Sequence, residues 1–155
     1  MQKPKYIIEP SDIAFVEPQD RISIDNVYAK AGHPDNHFTI KKGGEKTAIY
    51  REEFAEDKGM LVFGKLAEIV KAATKHMPEG FRFSLKDSLR TADAQKAMEV
   101  AMREKYDGMV VPSHLVSGAG QGAHPKGMAI DIMVEKFDGE KWVEVMPALN
   151  SISSM

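Results

Sequence analysis

Two side chains able to bind a metal ion, His124 and Asp131, stand at the ends of the stretch His124-Pro-Lys-Gly127-Met-Ala129-Ile-Asp131. From Met128 to Val134 the residues alternate as a strand does, with Met128, Ile130, Ile132 and Val134 on one face and Ala129, Asp131 and Met133 on the other. A carboxylate within such an apolar strand costs several kcal/mol to bury ionised unless a cation compensates it. A histidine on the glycine-rich approach to the strand could meet that carboxylate at one metal ion, and Gly127 would let the chain fold back closely. The same spacing is equally compatible with an edge strand whose Asp131 faces solvent and whose His124 is a surface loop residue.

The remaining chemistry-bearing residues fix less. His33 and His37 flank a turn, His76 ends a helical pattern where its charge suits the helix dipole, and His114 precedes the glycine-rich run; none sits at a spacing that fixes its direction toward a metal. Arg90 precedes a helix start and can pair with Asp87 or Asp93. Gly118-x-Gly120-x-Gly122 leads into a strand, whereas a dinucleotide fingerprint needs a helix N-terminus after it. Gly59 through Gly64-Lys65 has most of a phosphate-loop pattern, but Leu66 stands where the magnesium-binding hydroxyl is required and apolar residues fill the loop. Phosphate binding is not expected at either place.

Composition narrows the classes further. The 155 residues contain no cysteine, which removes thiol chemistry, disulfides and zinc fingers and leaves histidine and carboxylates as metal ligands. Lys and Arg number 21 against 23 Asp and Glu, a net charge of −2 with no basic stripe, so nucleic acid and anionic membranes are not expected partners. No segment has the apolar length of a membrane span or a signal peptide, and a cytoplasmic location is expected.

The elements that must position these side chains read as α+β. Residues 1–48, broken by Pro4, Pro10, Pro18, Pro34, Gly32, Gly43 and Gly44, read as short strands and turns. Thr47 to His76 carries apolar residues at mostly helical spacing, predicting one broken helix or two. Phe81 to Lys86 alternates as a strand, Thr91 is an N-cap, and Ala94, Ala97, Met98, Ala101 and Met102 form the stripe of an amphipathic helix to about Tyr106. Asp138-Gly139 signals a hairpin, with Trp142, Val143 and Val145 on the return strand.

His124-x-x-Gly127-x-Ala129-x-Asp131 resembles the H-x-x-G-x-A-x-D metal motif of the zinc D-alanyl-D-alanine dipeptidases of the VanX type, within the D,D-peptidase family. Asp87-x-x-Arg90 followed by Ala94-Gln95 is similar to the family's D-x-Y-R-P segment and the helix after it, and Tyr50 with the segment after it falls in family order. The resemblance spans about residues 20–146. It implies a single domain over 1–155, with 1–20 peripheral: a small antiparallel sheet with helices on one side, hedgehog-like in architecture. It further implies that His124 and Asp131 bind Zn²⁺, that a later histidine completes the metal set, that a glutamate just before that histidine is the general base, and that Arg90 stabilises the developing oxyanion. The substrate it implies is a small D-amino-acid dipeptide.

The chain departs from the family pattern in three ways. Gly122 stands where the family has serine and Thr91 where it has proline, and no E-x-x-H segment follows the hairpin. Glu140 and Glu144 belong to the return strand and read as structural. The expectation is therefore a metallo-dipeptidase domain that lacks the family's C-terminal part and is inactive or very slow without it. The second expectation, from another class, is a non-catalytic peptidase-fold domain that binds a peptide, a cell-wall fragment or a partner chain. A plain scaffold without metal is the third.

Overall fold

The computed structural model describes residues 10–50, 55–105 and 122–145. Its organising element is β6 (Phe81–Asp87), which is paired on both sides within a four-stranded sheet of order β2-β6-β7-β8. β2 (Ile22–Ile24) runs parallel to it, with Ile22 opposite Phe83 and Ile24 opposite Leu85. β7 (Asp131–Phe137) runs antiparallel on the other side, with Leu85 opposite Ile132 and Asp87 opposite Asp131 across a register shift. β8 (Trp142–Glu144) forms the edge. The α+β class holds, but the parallel β2–β6 pair makes the sheet mixed rather than purely antiparallel. Two smaller antiparallel pairs complete the strands among the described residues: β1 (Ile13–Val16) with β5 (Met60–Phe63), and β3 (Ile40–Lys42) with β4 (Glu45–Thr47).

Alternation decides which side of these strands is buried. Val16, Ile22, Ile24, Met60, Val62 and Leu85 turn inward, and α1 (Gly64–Thr74) closes over them with Ala67 and Val70, one helical turn apart. Each large apolar side chain fully buried there contributes about 1.5–3 kcal/mol. Val16 is a core residue, so the N-terminal residues are not all peripheral.

The helical reading of Thr47 to His76 is corrected at its centre. This stretch pairs with Ile13–Val16 as β5, which buries Met60 and Val62 and exposes Leu61 with the period of two of a strand, and the helix begins only at Gly64. The phosphate-loop pattern fails for the same reason, since its middle is a paired strand.

α2 (Ala92–Lys105) matches expectation closely. Thr91 Oγ1 accepts the Ala94 N–H at 3.1 Å, Asp93 lies in the first turn, and Ala94, Met98, Ala101 and Met102 are buried. The β7–β8 hairpin turns at Gly139, whose φ is 108°, while the Asp138 carboxylate accepts the N–H groups of Glu140 and Lys141 at 2.9 Å each. On the sheet face away from the core, Arg82 pairs with Glu135 at 2.6 Å and Lys86 bridges Asp25 at 2.8 Å and Glu144 at 2.5 Å. Glu144 is thus structural, as its place on the return strand predicts. Among the described residues, no helix is long and apolar enough to cross a membrane.

Candidate metal centre

The end of β6 and the start of β7 lie side by side, and that pairing brings the candidate ligands together. Before β7, His124–Lys126 forms one short 3-10 turn with Pro125 inside it, and Gly127 ends the turn in the left-handed region at φ 66°, ψ 12°. The His124 carbonyl accepts the N–H of Gly127 at 2.9 Å and that of Arg90 at 3.3 Å, which fastens the turn to the segment leaving β6. Ser88 adds a second tie, its hydroxyl donating to the Ala129 carbonyl at 3.2 Å.

The imidazole is oriented by its backbone contact. His124 Nδ1 lies 2.8 Å from the Ser88 carbonyl oxygen, and because a carbonyl only accepts, Nδ1 carries the proton. In the neutral ring Nε2 then keeps its lone pair, free for a metal ion, and it lies 3.4 Å from Asp131 Oδ1. Two ligand atoms on a tetrahedral zinc at about 2.0–2.2 Å stand about 3.3–3.6 Å apart, so this spacing fits a shared ion. Without one, Asp131 holds the imidazolium well favoured and pushes the His124 pKa above its ordinary value, against the opposing effect of burial. The imidazole in turn lowers the Asp131 carboxyl below the ordinary range.

Asp87 is the third member. One ligand atom from each of Asp87, His124 and Asp131 lies within 4.8 Å of the other two, and the group could hold a metal ion. Asp87 is buried, His124 partly so, and Asp131 exposed. The Asp87 carboxylate is already engaged, however. Oδ1 accepts the Tyr50 hydroxyl at 2.7 Å, and Oδ2 accepts Arg90 through Nε at 3.2 Å and through a terminal nitrogen.

Arg90, 9% exposed, gives its other terminal nitrogen to Gln95 Oε1 at 2.8 Å and lies over the Tyr28 ring at 5.7 Å. Burial pushes the Tyr28 phenol up to about 12 and raises that of Tyr50 as well, with the Asp87 charge adding to both, so both phenols stay protonated. Of the two partners foreseen for Arg90, the structure selects Asp87.

The predicted residues are thus brought together in part. His124 and Asp131 converge, and Arg90 stands beside them through Asp87. His33 lies elsewhere, with Nε2 3.2 Å from Asp25, while His37 and His76 are exposed. His114, Gly118 and Gly120 fall outside the described residues. Sequence reasoning missed Asp87 as a member of the metal-capable group and Tyr28 as part of the shell around Arg90. A signal for Asp87 existed, because it stands two residues beyond the core residue Leu85 on a strand with one buried face and three residues before Arg90. Compared with known proteins, the chain matches no family model, no curated protein and no solved structure.

Proposed function

We propose that the chain is a zinc-dependent hydrolase domain of the D,D-peptidase type, acting on D-alanyl-D-alanine or a related small cell-wall peptide. The single observation that carries this reading is the Ser88 carbonyl on His124 Nδ1, which leaves Nε2 facing Asp131 at a distance suited to a shared ion. His124 and Asp131 would hold the metal. When bound, zinc supplies a polarised substrate carbonyl and a water acidified toward neutral pH. Asp87 keeps Arg90 ionised and beside the pair, where its charge favours the negative oxygen that grows as the peptide carbonyl is attacked.

The test combines binding and turnover. Zinc titrated into the chain should move the NMR signals of the His124 ring, and D-alanyl-D-alanine hydrolysis should be very slow or undetectable, rising when an E-x-x-H-bearing segment is supplied. General-base catalysis contributes about 10²- to 10⁴-fold in rate, which sets the size of the rise expected. Zinc that leaves the His124 ring unmoved would overturn the reading.

One observation favours the second reading, a non-catalytic domain of the same type that binds a peptide or cell-wall fragment. Arg90 is buried and its donors are engaged by Asp87 and Gln95 rather than turned toward a substrate. Peptide binding by the zinc-loaded chain, with no turnover even in the extended protein, would select it.

A further inference from the structure

A cavity of about 500 Å³ lies on the α2 side of Asp87 and Ser88. Ligand pockets are commonly about 300–1,000 Å³ and mostly apolar. Leu61, Leu89, Ala94 and Ala97 supply apolar wall, and neither His124 nor Asp131 borders it.

The polar groups in the wall are nearly all committed elsewhere. The Asn26 amide donates to the Gly59 carbonyl at 3.1 Å, the Ser88 hydroxyl to the Ala129 carbonyl, and the Tyr50 hydroxyl to Asp87, whose charge Arg90 balances. Thr91 Oγ1 takes the Ala94 N–H, so that donor of the helix end is not offered to an anion. Asp93 differs. It borders the cavity, it is exposed, and it has no cationic partner among the described residues.

We propose that this cavity binds a small molecule with an apolar body and a primary ammonium end, the body against Leu61, Leu89 and Ala97 and the ammonium at Asp93. The argument is one of charge complementarity: an apolar wall with committed polar groups and one carboxylate that has no ion-pair partner among the described residues selects a cation over an anion of equal size. The proposal needs neither His124 nor Asp131, although Asp87 of the metal-capable group forms part of the wall.

The test is a titration of the isotope-labelled full chain, followed by NMR, with 2-phenylethylamine and, for comparison, 2-phenylethanol and 3-phenylpropanoate. The amine should shift the amide signals of Leu89, Ala94 and Ala97 and bind about two- to fivefold more tightly than the alcohol, the range for a partly exposed ion pair. The carboxylate should bind most weakly. Asp93→Asn should bring the amine down to the affinity of the alcohol and leave the alcohol unchanged, whereas Ala97→Phe should abolish binding of both by filling the space. Ala97→Met serves the same purpose should the larger ring prevent folding. His124→Ala should leave amine binding intact, so a failed metal reading would not carry this one down. Amine and carboxylate binding equally well, or amine binding that survives a folded space-filling variant, would overturn the proposal.

Discussion

The Ser88 carbonyl oxygen and His124 Nδ1, 36 residues apart in sequence, meet at 2.8 Å. The contact lets a backbone group, which no side-chain substitution removes, choose the tautomer of a candidate metal ligand. It also makes the turn that holds the ring as important as the ring itself.

Gly127→Ala tests that turn. At φ 66° a side chain costs about 1–2 kcal/mol, and the strain falls on the residue whose N–H closes the turn onto the His124 carbonyl. Urea unfolding should show a loss of that size, and zinc affinity should fall with it. An unchanged zinc affinity would show that the turn does not set the ring.

Metal content after dialysis tests the ligands. On the reading proposed above, His124 and Asp131 would fill only two of the four positions of a tetrahedral zinc, so the purified chain should retain zinc substoichiometrically, and His124→Ala should retain none. Stoichiometric zinc that persists in His124→Ala, read by elemental analysis, would place the ligands elsewhere.

The Asp87–Arg90 pair is buried at both ends. Asp87→Ala leaves an uncompensated guanidinium and should cost about 3–5 kcal/mol, while removing both partners with Asp87→Ala and Arg90→Met should cost less than Asp87→Ala alone. Tyr50→Phe, which deletes one hydrogen bond to a charged group, should cost about 1.5–3 kcal/mol. Chemical denaturation of the four proteins orders these values, and a double variant weaker than Asp87→Ala would show that the pair is not the source of the loss.

Acid behaviour should trace to Asp25. Burial alone would raise its carboxyl, but the ammonium groups of Lys30 and Lys86 outweigh that and hold it at about 2, from an ordinary 3.8. A lowered folded value means that the stabilisation, about 2 kcal/mol, is fully present above the ordinary value and is lost as pH falls toward about 2. The stability gap between the native chain and Asp25→Asn should therefore be constant from neutral pH to about 5 and close below about 4. A gap that instead widens in acid would assign the effect to another group.

Local signals carried much of this. The Thr91 cap, the α2 stripe, the alternation of β6 and the turn at Gly139 are short-range, and each is written within a few residues. The convergence of His124 and Asp131 was legible because both lie on one turn-and-strand unit. What could not be read were pairings between distant segments. Nothing local distinguishes Met60–Phe63 from the start of a helix; its strand state comes from pairing with Ile13–Val16. Likewise the hydrogen bond from Tyr50 to Asp87 joins residues 37 apart, and only the folded sheet shows that the carboxylate of β6 reaches the metal-capable group.

The antiparallel docking of β7 on β6 has a consequence for the growing chain. Every member of the group belongs to one of these two strands or to the turn entering the second, so a ribosome-bound chain that has exposed only the first strand has Asp87 but neither His124 nor Asp131. Closing so long a loop is slow relative to local helix formation. Metal capture should therefore be among the last events of folding. Zinc added during refolding should change the final, slow phase and leave the early helical signal untouched.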